Sequence, residues 1–136
     1  DSLLMPAPVN TTTFFAPAAN IELRPGGPYE LYFNPEGAEG LRGSEGMRVL
    51  AYVPGEMLSF EWNAPPHLSD VRKEKTWVVL RFEPVGIGQT RLTLDHLGWR
   101  EGVQWDQAFA YFTRAWDVVL GRLVARFQSG PIDWSK

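Results

Sequence analysis

With 136 residues, 44% of them hydrophobic and 13% aromatic, the chain has the material for one packed domain, little room for a second, and no resemblance to a disordered segment. Thirteen Lys and Arg against sixteen Asp and Glu leave a net charge of −3, which argues against a general nucleic-acid binder with a basic face. Cys is absent and the only histidines are His67 and His96, so disulfides, thiol nucleophiles and multi-histidine metal centres drop out, and no apolar run approaches the roughly 18 residues of a membrane span.

Residues 1–20 are rich in Pro, Ala and Thr, and patterned text begins at Ile21. A strand is expected over 21–24 and another over 28–33, separated by the turn signal Pro25-Gly26-Gly27-Pro28. Residues 34–46 read as a loop. Two further strands, 47–53 and 57–63, flank Pro54-Gly55-Glu56. After Ala64-Pro65-Pro66-His67, the mixed-charge run Arg72-Lys73-Glu74-Lys75 reads as a solvated approach to a hairpin of strands 76–83 and 90–96 around Gly86-Ile87-Gly88. Within these strands Leu58, Phe60 and Trp62 share one face, as do Val78, Leu80 and Phe82, and Leu92, Leu94 and His96. Period-two alternation of this kind makes an antiparallel sheet with one apolar face, and that face needs a cover.

The cover is written at the C-terminus. From Val103 to about Phe127 the pattern turns helical: Trp105, Phe109, Phe112, Trp116, Val119, Leu123 and Phe127 recur at spacings of four and three. Such a helix runs roughly 36 Å at 1.5 Å per residue, and Ser129-Gly130-Pro131 ends it. Asp106, Arg114, Asp117, Arg122 and Arg126 fall mostly on the opposite side.

In order along the chain stand Gly26-Gly27-Pro28-Tyr29-Glu30, Arg42-Gly43-Ser44-Glu45-Gly46, Leu58-Ser59-Phe60-Glu61-Trp62, Thr90 to Leu94, His96-Leu97-Gly98-Trp99 and Trp116 to Leu120. This series resembles the SRPBCC (START-like, birch-pollen-allergen-like) superfamily, and within it bacterial domains similar to the C-terminal domain of the activator of the 90-kDa heat-shock-protein ATPase. The resemblance covers about residues 14–134 and treats 1–136 as one domain. It implies an α+β helix-grip fold, a curved antiparallel sheet wrapped around one long C-terminal helix with a cavity between them. The family's first strand and helical segment need more than about 20 residues, whereas here Met5 to Val9 resembles the end of that strand and Thr13 to Pro17 the end of that helix. The stretch between them is either deleted or left out of the sequence as it stands, and the second is the expectation. A deletion would bare part of the sheet and favour a homodimer over a monomer.

Alternation and helical phase put Phe60, Trp62, Phe82, Leu94, His96, Phe109, Phe112 and Trp116 around such a cavity, where bulky rings suit a small hydrophobic or aromatic ligand. The same rings at the same spacing also make an ordinary core. His96 is a weak candidate for acid–base catalysis of the cyclase or aromatase kind known in the superfamily, with Tyr29 as the other polar group inside; a hydrogen-bonded core histidine is the preferred reading of the position. His67 reads as a loop residue. Arg72 and Lys73 are the basic positions that would face an acidic partner if the domain acted on a chaperone through its surface, in a stress response. Glu30, Glu61, Glu83 and Asp95 lie on separate strands and form no acid–base pair. No metal, nucleotide or nucleic-acid motif is present, so no cofactor is expected. The ligand-binding domain is the leading reading, with a cytoplasmic address and no membrane partner.

Overall fold

The computed structural model describes residues 17–129, with side chains for residues 17–123. The elements in order are β1 (Ala18–Ile21), β2 (Tyr29–Tyr32), β3 (Val49–Val53), β4 (Met57–Trp62), a single helical turn α1 (Ser69–Arg72), β5 (Thr76–Gly86), β6 (Gln89–Leu97) and the long helix α2 (Val103–Ser129). The segment before residue 17, which bears the question of a missing strand and helix, lies outside the described residues, as does the side chain of Phe127.

β3, β4, β5 and β6 form an antiparallel meander in that order, and β1 pairs with β2 as a second ribbon. Backbone bridges join the two. Gly26 N–H donates to Val49 O, and Val49 N–H to Gly27 O, each at 2.8 Å, while Tyr29 N–H donates to Met47 O at 2.8 Å. The first strand runs over Ala18–Ile21 and not 21–24 because the chain turns back directly after it: Glu22 N–H donates to Pro28 O (3.0 Å), Arg24 N–H to Glu22 O and Gly27 N–H to Arg24 O (2.9 Å each), and only then do Gly26 and Gly27 bridge to Val49 at the start of β3. The β5–β6 hairpin is longer than the sequence suggests, closing at Ile87-Gly88 with Gly86 opposite Gln89.

The register fixes the core. Val49, Phe60, Val78 and His96 sit side by side across four strands, and Leu58, Leu80 and Leu94 form the next row. Their shared face receives α2, whose Ala108, Phe112, Trp116 and Leu123 are buried. Phe109 departs from the expected stripe and is 55% exposed. At 100° per residue it lies about 60° round the helix from Phe112, and the small Ala108 on the other side of that stripe turns the buried centre away from it. The outer sheet face carries the cross-strand pairs Arg81–Asp95 (3.2 Å) and Arg91–Glu83 (3.0 Å), both exposed and therefore of small energetic weight.

A candidate binding cleft beside the C-terminal helix

The apolar stripe of α2 is wider than the sheet can cover. Tyr111, Ala115, Val118 and Arg122, spaced four, three and four residues apart, lie along one flank. Across from this flank stand Phe33, Leu41 and Arg42 of the β2–β3 connection and Ala64-Pro65-Pro66 beyond β4. Together they enclose a cleft of about 690 Å³. Its floor is aromatic: Trp62 and Trp116 lie with ring centroids 5.5 Å apart, Phe112 stacks on Trp116 at 6.0 Å, and Phe33 stands perpendicular to Trp62 at 6.3 Å. Phe33, Leu41 and Val118 are each about half exposed, which makes the mouth open to solvent.

The wall opposite the helix is a loop, and its rigidity has specific causes. The Gly43 position faces the backbone so closely that a Cβ there would come within 1.9 Å of Leu31 O. Ser44, fully buried, accepts a hydrogen bond from Leu31 N–H (2.8 Å) and donates to Tyr29 O (3.3 Å). Glu45 accepts from the N–H groups of Gly40, Arg42 and Gly43. From the other side Arg72 donates to Ala64 O (2.5 Å), Gly40 O (2.7 Å) and Gly43 O (2.9 Å), and Asn63 Nδ2 donates to Gly43 O (3.2 Å). Burial lowers the Arg72 pKa, with the field of Glu45 acting the other way. The expectation that residues 72–75 form a solvated approach is therefore corrected at Arg72. The turn α1 buries Val71, and the next side chain ties the loops together through these carbonyl bonds.

His96 has both ring nitrogens engaged. Trp116 Nε1–H donates to Nδ1 at 3.0 Å, so Nδ1 is the acceptor and Nε2 carries the proton. That proton goes to Thr76 Oγ1 at 2.7 Å, and the Thr76 hydroxyl donates in turn to Trp62 O at 3.3 Å. The ring packs against Trp99 (4.5 Å) and Phe112 (4.9 Å). Burial lowers its pKa to about 4, so the imidazole is neutral. His96 is half-buried and hydrogen-bonded within the fold, and an acid–base role would first require breaking the bonds that orient it.

The eight positions expected around one cavity are divided. Trp62, Phe112 and Trp116 line the large cleft. Leu94, His96 and Phe109 line a second hollow of about 260 Å³ on the other flank of α2, again with Phe112 and Trp116. Those two rings fill the middle of the grip and partition the space. Phe60 and Phe82 line neither: Phe60 is 1% exposed and stacks on Tyr29 at 3.9 Å. Tyr29 is itself a core residue whose hydroxyl pKa is pushed up by burial. His67 is exposed, 6.0 Å from the Tyr111 ring, and outside the cleft wall. Sequence reasoning missed Phe33, Arg42, Arg72, Arg114 and Arg122. The available signal was the spacing of Arg114, Val118 and Arg122, four residues apart and flanking the stripe.

No helix among the described residues is long and apolar enough to cross a membrane, and no three acidic or histidine side chains among them gather as a metal site. A curved antiparallel sheet gripping one long C-terminal helix defines a helix-grip domain of the SRPBCC type. Residues 7–128 match the family described as activator of Hsp90 ATPase homolog 1-like protein, and the chain belongs to that family. No curated protein and no solved structure matches it significantly.

Proposed function

We propose that this domain binds a small apolar molecule in the cleft beside α2. The observation that carries the reading is the cleft itself: about 690 Å³, with Trp62, Phe112 and Trp116 as its floor. Ligand pockets commonly enclose about 300–1,000 Å³ with mostly apolar walls and a few polar groups. Nothing in the reading requires chemistry at His96, whose nitrogens are spent internally.

Native mass spectrometry of the purified domain, compared with the denatured chain, tests this. The expected result is a retained species of small-molecule mass that disappears in an Ala115→Trp variant, which fills the cleft from the helix side. A native mass equal to the bare chain, combined with no uptake of apolar probes in solution, refutes it.

The family description favours a second reading, in which the domain acts on a heat-shock ATPase through its surface. Arg72 is a poor probe of that idea because its loss would loosen the fold. Lys73, exposed and one residue on, is the better one. Under the chaperone reading, Lys73→Glu weakens ATPase stimulation while Ala115→Trp leaves it unchanged; under the ligand reading Lys73→Glu leaves the retained mass intact.

A further inference from the structure

The cleft has a charge pattern that the apolar floor does not explain. Its wall includes four arginines, Arg42, Arg72, Arg114 and Arg122, and no aspartate or glutamate, in a chain whose net charge is −3. Elsewhere among the described residues most basic side chains have acidic partners, Arg48 and Lys73 being the exceptions. Arg24, Lys75, Arg81, Arg91 and Arg100 each pair with a carboxylate within 3.6 Å. Around the cleft Arg42, Arg72 and Arg114 have no carboxylate at ion-pair distance among the described residues. Arg42 Nε–H donates to Gly37 O at 2.9 Å, and Arg72 is held by backbone carbonyls alone. Glu45, the acid whose field reaches Arg72, has its carboxylate occupied by three backbone N–H groups.

Cations gathered over a low-dielectric aromatic floor repel one another, and the field they make is concentrated in the cleft rather than dispersed into water. An anion entering there relieves that repulsion, and a guanidinium offers a carboxylate a planar, two-pronged fit. The apolar floor, in turn, rewards burial of a hydrocarbon or aromatic body.

Resting on the reading of the cleft as a binding site, we infer that its occupant is an amphipathic anion: an apolar body seated on Trp62 and Trp116, with a carboxylate turned to the arginine rim. Arg114 serves as the adjustable member of that rim. It is exposed on α2 and makes no hydrogen bond or ion pair within the described residues, so replacing it leaves the fold's own bonds intact.

The test is calorimetric titration at low salt with chain-matched and ring-matched probes: decanoate against decanol, 2-naphthoate against 2-naphthylmethanol, and acetate as a head group without a body. The acids are expected to bind about tenfold or more tightly than their alcohols. That preference shrinks in 0.5 M salt and in Arg114→Glu, whose unchanged melting temperature shows an intact fold. Acetate shows no binding. Equal affinity for acid and alcohol, or an acid preference indifferent to both salt and Arg114→Glu, overturns the inference while leaving the cleft a binding site. Failure of every acid and alcohol to bind overturns both.

Discussion

His96 provides a pH-dependent stability that can be predicted in sign and size. The neutral ring accepts from Trp116 and donates to Thr76, and burial holds its pKa at about 4, against an ordinary value of 6.5. Between these values the unfolded chain takes up a proton that the folded one refuses, so stability falls as pH falls. The contribution is fully present above about pH 6.5, declines through the interval, and is gone below about pH 4. At about 1.4 kcal/mol for each tenfold difference in proton affinity, the whole interval corresponds to about 3 kcal/mol. Urea unfolding from pH 7.5 to 4, on the wild type and on His96→Gln, isolates this term from the carboxylates that titrate in both. The wild type begins more stable, because glutamine loses the ring packing against Trp99 and Phe112, and its advantage narrows by about 3 kcal/mol on acidification. Parallel curves for the two proteins would refute the assignment of His96 as a buried neutral residue. Imidazole nitrogen shifts measured by NMR at pH 6 should report the Nε2–H tautomer.

Three other consequences are open to direct measurement. Arg72→Ala removes three charge-assisted bonds that tie the 40–43 and 64 backbones together, with an expected loss of about 2–4 kcal/mol in chemical denaturation; Arg72→Lys, which keeps the charge but not the fork, should recover less than half of it. Gly43→Ala drives a methyl toward Leu31 O and should cost more than about 2 kcal/mol, with faster amide exchange at Ser44 and Leu31. Trp116→Phe keeps a ring in the cleft floor but removes the donor to His96 Nδ1; stability should fall by about 1 kcal/mol or more and the tautomer preference of His96 should weaken.

The sheet and the helix were legible because both are written in period. Leu58, Phe60 and Trp62, or Val78, Leu80 and Phe82, declare a face by alternation, and the register then brings His96 beside Val78. The position of β1 was not legible, since what ends it at Ile21 is a turn of backbone bonds among Glu22, Arg24, Gly27 and Pro28, silent in side-chain pattern. The cleft was half legible. Trp62, Phe112 and Trp116, grouped by phase, do line it, but phase alone does not say that Phe112 and Trp116 divide the interior into two hollows. Nor does a charge run reveal which member points inward: Arg72 and Lys73 are neighbours of like type, and only the fold distinguishes the loop tie from the solvated side chain.

The distribution of polar contacts bears on what the cleft is for. A glycine-rich connection of the kind formed by residues 34–46 has a large conformational entropy to lose, and apolar packing contributes little at Leu41, which is half exposed. The ordering comes instead from Ser44, Glu45, Asn63 and Arg72, whose hydrogen bonds converge on backbone groups between Leu31 and Gly43. A loop whose only task was to join β2 to β3 could be left loose at little cost to the core. Held as it is, it keeps the wall of the cleft at a fixed distance from α2 before any ligand arrives, so binding forgoes the entropy of ordering that wall. The same ties hold Arg72 beside the cleft, hydrogen-bonded to carbonyls and to no carboxylate, with Glu45 acting on it only through its field, which makes the fixed wall also a cationic one. Rigidity and charge at this wall thus have one structural origin, and both favour a ligand whose shape and sign are complementary to a site already formed.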